Sequence, residues 1–218
     1  MTLAPRVIVG IDQAARSGWA VHSGGQVRAS GVARSARERL EVVQAALSAA
    51  GGDTRLLLIV LEDHGKMPLS RRTQYDAATK HAPSRNAATI LGMGDARGRW
   101  REQFELVGVP LSHFVLVEPR TWRLAVFGRG APSMGTEAAK ELAVRWASQV
   151  RGEPIADDNE AEAIAMASWG AREGVQVYQA RLHEAQVRGR AQRRRPADPG
   201  STLELALPGQ HEGGPRHG

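Results

Sequence analysis

Val7-Ile8-Val9-Gly10-Ile11-Asp12 is a short, β-branched apolar run that ends on an acid, and it decides how the rest of the chain is read. A run of this length and composition is the pattern of a strand buried on both faces of a sheet. Residues 6–12 are read as that strand, and its end holds Asp12 with little freedom to point elsewhere. The same arrangement returns at Leu56-Leu57-Leu58-Ile59-Val60-Leu61-Glu62, inside a strand read over Arg55–Glu62. A third acidic group, Asp157, Asp158 and Glu162, opens an apolar helix that continues through Ala163, Ile164, Ala165, Met166 and Ala167. Carboxylates that converge from separate elements repel one another. A convergence of this kind calls for a divalent cation, and all-oxygen donors select Mg²⁺ or Mn²⁺.

Outward from these anchors, Trp19–His22 and Gln26–Val32 read as two further strands joined by a Ser23-Gly24-Gly25 hairpin turn. Ser35 is placed to cap a helix from Ala36 to about Ala50, with Leu40, Val43 and Leu47 among its apolar positions. That helix makes a crossover, so the strand ending at Glu62 is expected to lie parallel to the first. Residues 63–84 have no periodicity and are rich in cations, which reads as a long mobile loop leaving Glu62, of the kind that is usually functional or disordered. A helix over Asn86–Val107 follows. Gly92, Gly94 and Gly98 inside it each cost about 1 kcal/mol relative to Ala, which points to close approach of another backbone. A strand over His113–Val117, a short helix from Pro119 ending at Gly128, and a loop Arg129–Gly135 come next. Thr136 is read as the cap of a helix to about Val150, and a helix from Asp158 to about Arg172 follows. Gly174 is read as a break before a last polar helical stretch. The expected fold class is α/β, a mixed five-stranded sheet whose first three strands are antiparallel, flanked by helices. From Gly189 the chain reads as a basic, Pro/Gly-rich tail that cannot bury enough apolar surface to fold alone. The expected division is a domain over residues 1–188 and a tail over 189–218.

The 218 residues, 42% of them hydrophobic, suit one core plus tails. Lys and Arg total 29 against 23 Asp and Glu, a net charge of +6 that favours polyanionic partners, nucleic acid first. The absence of cysteine excludes disulfides, thiolate zinc sites and a cysteine nucleophile. The N-terminus leads directly into a strand, so no signal peptide is expected. No apolar run approaches the roughly 18 residues that span a bilayer. A cytoplasmic protein is the expectation. On a basic chain, a cation-binding acidic cluster points to metal-assisted cleavage of a phosphodiester.

Five local motifs sharpen this. Gly10-Ile11-Asp12 followed by Gly18-Trp19-Ala20 resembles the first-strand motif of the RuvC-type Holliday junction resolvases, members of the RNase H-like superfamily. Leu61-Glu62-Asp63 resembles their second catalytic strand. Leu91-Gly92-Met93-Gly94-Asp95-Ala96-Arg97-Gly98 resembles their Leu-Gly-x-x-x-Ala-Arg-Gly helix. Glu118-Pro119, Trp122-Arg123 and Val126-Phe127-Gly128 resemble the segment before their basic loop. Ala161-Glu162-Ala163-Ile164-Ala165-Met166-Ala167 resembles their Ala-Asp-Ala-Leu-Ala-Ile-Ala helix. The likeness covers about residues 6–172.

The resemblance implies an RNase H-like fold and a structure-selective endodeoxyribonuclease that resolves four-way DNA junctions as a homodimer, with a recombination protein as a further partner. It implies two Mg²⁺ or Mn²⁺ ions about 4 Å apart, held by Asp12, Glu62, Asp158 and Glu162, with Asp157 as a substitute. Asp157 and Asp158 equally suit a helix N-cap. Lys140 is expected at the scissile phosphate. Arg71, Arg72, Lys80, Arg120, Arg123 and Arg129 are expected on DNA phosphates, and Tyr75 in place of the family's wedge aromatic. Other substrates remain open: another branched DNA, an RNA/DNA hybrid, or binding without cleavage. The chain also departs from the family. Gln13-Ala14 stands where the family has Pro-Gly, Glu162 where it has Asp, and Asn159 where it has Asp or His. These departures mark a divergent member, of a bacterium or of a phage acting in the host cytoplasm.

Overall fold

Five strands carry the structure: β1 (Val7–Asp12), β2 (Ser17–Ser23), β3 (Gln26–Ala33), β4 (Leu57–Glu62) and β5 (Phe114–Val117). They form one sheet in the order β3-β2-β1-β4-β5. β1 pairs antiparallel with β2, and β2 with β3, while β1–β4 and β4–β5 are parallel. The structure is a computed structural model that describes residues 4–63, 84–131 and 134–193. Arg71, Arg72, Tyr75 and Lys80, expected to touch DNA, lie outside the described residues, as does the chain from residue 194.

The helices are α1 (Ala36–Ala49), α2 (Ser84–Leu106), α3 (Pro119–Phe127), α4 (Thr136–Arg151), α5 (Asp158–Trp169) and α6 (Val175–Arg193). Ser35 caps α1 through a reciprocal capping box with Glu38, so this start was legible from the Ser-x-x-Glu spacing. Pro119 occupies the first turn of α3, where its missing N–H costs nothing. Three expectations are corrected. Gly135, not Thr136, is the N-cap of α4. Gly174 does not break the last helix: Gly170–Gly174 forms a π-helical turn that carries α5 into α6. His113 also falls outside β5, in a 3-10 turn over Leu111–His113.

β1 and β4 are buried along their whole length because helices cover both faces of the sheet. Side chains alternate across a strand. Val7, Val9, Ile11, Leu57, Ile59 and Leu61 therefore face α1 and α2, meeting Val42, Val43, Trp100 and Phe104. Ile8, Leu58 and Val60 face the other way, toward Trp122 of α3, Met166 and Trp169 of α5 and Tyr178 of α6. The same parity sends Gly10, Asp12 and Glu62 to this second face. Met1–Leu182 make up one compact unit. From His183 a second unit begins, in which Arg188 pairs with Glu184 at 3.5 Å. Among the described residues no helix is long and apolar enough to cross a membrane.

One buried polar link ties α6 to the sheet. His113 Nδ1 lies 2.8 Å from the Leu57 carbonyl, and Tyr178 Oη lies 2.9 Å from His113 Nε2. A carbonyl only accepts, so Nδ1 carries the proton and the Tyr178 hydroxyl donates to Nε2. Tyr178→Phe leaves that nitrogen buried without a donor and is expected to cost about 1–3 kcal/mol of stability. Urea unfolding measures it; an unchanged midpoint would mean the imidazole does not depend on the hydroxyl.

Candidate active site

The register of β1 against β4 aligns Ile11 with Leu61, so the next residue of each strand, Asp12 and Glu62, comes to the same end of the sheet. Parity points both toward α5. That helix packs unusually close to the sheet. A Cβ built on Gly10 would overlap the Ala163 carbonyl and the Ala167 amide, and one on Gly18 would overlap the Asn159 carbonyl. With no side chain at either glycine, the first turns of α5 sit directly on β1 and β2. Glu162 is brought beside Asp12 as a result. Asp12, Glu62 and Glu162 are all buried, between 4% and 9% exposed.

Burying three carboxyls together is costly. Burial, then Glu62 and Glu162, push the Asp12 carboxyl well above the usual carboxylate range, with Arg123 opposing. Burial also raises Glu62, against a hydrogen bond from Trp122 and the charge of Arg123. Glu162 is raised mainly by burial, with Arg123 opposing and Glu62 adding to the rise. The opposing groups come from neighbouring residues of α3. Trp122 Nε1 donates to Glu62 Oε1 at 3.0 Å, and Arg123 Nη2 reaches Glu162 Oε1 at 2.6 Å. The Arg123 guanidinium also lies over the Trp122 ring, 5.1 Å from its centroid. Trp122 has no exposed surface. Its indole N–H contact to Glu62 is one that no local sequence pattern signals.

The remaining acids of α5 are each committed. Asp157 is the N-cap, accepting from the Asn159 and Glu160 amides at 3.0 and 3.3 Å, and it pairs with Arg16 at 2.6 Å. The capping alternative for Asp157 is therefore realised. Asp158 pairs with Lys140 Nζ at 2.6 Å, which lowers the Asp158 carboxyl and raises the Lys140 ammonium. Glu160 accepts from Ser30 at 2.7 Å. Lys140 and Arg123 thus stand at the edge of the acidic group, while Arg120 and Arg129 are exposed at the start of α3 and just beyond its end. Arg97 is 3.7 Å from Asp63, and Arg99 pairs with Asp95 at 2.5 Å.

Among the described residues, no three acidic or histidine side chains already stand at the spacing that grips one ion. Glu162 is turned to Arg123 and Asp158 to Lys140. The donor chemistry nevertheless fits a hard divalent cation: the donors are all carboxylate oxygens, and the buried ones lack positive charge enough to hold their pKa values in the usual range. A scan against protein-family models finds no match, and a search of curated proteins finds none.

Proposed function

We propose that this chain is a divalent-metal-dependent endodeoxyribonuclease of RNase H-like fold, resembling the RuvC-type resolvases, that cuts four-way DNA junctions by phosphodiester hydrolysis. The observation that carries the reading is the meeting of Asp12, Glu62 and Glu162, from two strands and a helix, in one buried and mutually repelling group. Groups so perturbed collect at functional sites. The five motifs in order, the antiparallel β1-β2-β3 and the acids ending the first and fourth strands support the same reading.

Asp12, Glu62, Asp158 and Glu162 are the residues that would hold two Mg²⁺ or Mn²⁺ ions, which when bound supply a more acidic water and charge neutralisation at the phosphate. The chain does the positioning. Strand ends fix Asp12 and Glu62, and the close seat of α5 fixes Glu162. Trp122 orients the Glu62 carboxyl. Arg123 and Lys140 bring positive charge to the edge of the group, where a phosphate's negative charge is stabilised. Arg120 and Arg129 suit contacts to the flanking phosphates, which fix register rather than sequence. A homodimer would present two such sites to two strands of like polarity about a two-fold axis. The cytoplasm of a bacterium, or of a phage's host, is where such an enzyme would act.

The test is cleavage of a synthetic four-way junction against linear duplex and RNA/DNA hybrid, with Mg²⁺ and with EDTA. Symmetric nicks in the junction, only with Mg²⁺, are the expected result. Preferential hybrid cleavage would move the substrate to RNA. Binding without cutting, unaltered by Asp12→Asn, would overturn the enzyme reading.

A further inference from the structure

Gln13 lies just past the end of β1, yet it is 1% exposed. The last β1–β4 pair in backbone register is Ile11 with Leu61. One residue further along β4, the Glu62 N–H and C=O face the place where β1 has already ended. The Gln13 carboxamide fills that place. Its Oε1 accepts from the Glu62 N–H at 3.0 Å, and its Nε2 donates to the Glu62 carbonyl. A carboxamide offers the same donor and acceptor as a peptide group. The side chain therefore adds one rung to the parallel ladder beyond the last backbone rung. Proline, which stands here in the family that the chain resembles, has no side-chain donor or acceptor to make that rung.

The rung lies between two groups that push apart. Asp12 is the residue before Gln13, and Glu62 is the residue it clasps. Their carboxyls are buried on one face with like charge. We propose that Gln13 is a positioning residue, whose carboxamide locks the ends of β1 and β4 so that Asp12 and Glu62 keep the separation at which they share a divalent cation. This rests on the metal-binding reading above, and the test separates the two.

Mn²⁺ is titrated by calorimetry into the full chain, unaltered and as Gln13→Met and Asp12→Asn. Asp12→Asn is expected to lose Mn²⁺ binding. Gln13→Met is expected to weaken it about 10–100-fold, the scale seen when a partner that orients metal ligands is removed. Its junction cleavage is expected to fall in kcat with little change in KM. Hydrogen exchange on the unaltered chain needs no variant: the Glu62 amide should be as protected as those in the middle of β4. Fast exchange at Glu62 would overturn the clasp. Gln13→Met binding Mn²⁺ as tightly as the unaltered chain, while Asp12→Asn does not bind, would overturn the proposal and leave the metal site standing. Unchanged Mn²⁺ affinity in Asp12→Asn would remove both.

Discussion

Asp12→Asn is expected to lower junction cleavage by roughly 10³-fold, the scale seen when a principal charge-stabilising group is removed from an active site, and to raise the melting temperature at the same time. The two effects share one cause. Asp12 sits where burial and the neighbouring Glu62 and Glu162 all disfavour its charge. Its folded-state pKa is raised above the unfolded value. Between those values the folded chain holds a proton that the unfolded chain has released, so stability falls as pH rises through that window. Below the unfolded value, both states are protonated and the penalty vanishes. Asparagine keeps the shape and cannot ionise. The gain in melting temperature should therefore be small at about pH 3.5, below the ordinary carboxylate value, and full above the raised value. For a chain of this size each kcal/mol relieved is worth about 2–4 °C. Thermal melts in chelator at the two pH values read it directly. A variant that melts lower than the unaltered protein at high pH would mean that Asp12 is no electrostatic burden. A site that sacrifices stability for function is the ordinary trade-off.

Gly18→Ala is expected to be nearly as damaging, by a different route. The added Cβ would overlap backbone, the Asn159 carbonyl, which cannot rotate aside as a side chain can. Gly10→Ala meets the same obstacle at Ala163 and Ala167. Relief requires α5 to lift from β1 and β2. Overpacking of this kind costs typically 1–3 kcal/mol, and here it strikes the helix that carries Asp158 and Glu162. A displacement of about 1 Å at reacting groups can cost 10²-fold in rate. The variant should show reduced stability and at least that loss of cleavage and of Mn²⁺ binding. Gly92→Ala is the control, because a Cβ there meets nothing within 4 Å among the described residues. Equal effects from both substitutions would show that close helix seating is not what Gly18 provides.

That comparison also marks what the sequence did not reveal. The glycines of α2 drew attention because three fall in one helix, and they were read as a sign of close backbone approach. Gly92, Gly94 and Gly98 are exposed and face open space among the described residues. Within the chain, among the described residues, close approach of a helix is made at Gly10 and Gly18, each isolated in a strand, where a glycine looks only like a weak strand former. Pattern identifies elements; it does not say which elements touch. The elements themselves were legible, because β1 and β4 are apolar throughout and α1 is bounded by a capping box. The acids at the strand ends followed from strand parity. Their partners did not. Gln13 reaches the Glu62 backbone, and Trp122 and Arg123 the Glu62 and Glu162 carboxyls, through contacts 39 to 60 residues apart in sequence, and no local period encodes such contacts. The π-helical turn at Gly170–Gly174 was equally hidden, since its glycines read as a stop.

The hairpin between β2 and β3 turns at Gly24 and Gly25, whose φ values of 60° and 83° suit a tight two-residue connection. Val7 pairs with Ser23 and Asp12 with Gly18, so this turn stands at the opposite rim from the acids. The Gly51–Gly52 link between α1 and β4 leads into the same rim. Six residues of strand separate the two ends, roughly 17 Å at 3.3 Å per residue. The molecule thus offers a place for a surface tether or an inserted peptide between Gly24 and Gly25, where a Cβ on Gly25 would meet nothing within 4 Å but each glycine's positive φ disfavours a substituted side chain. Single-molecule work on DNA could be anchored there with the opposite rim left clear.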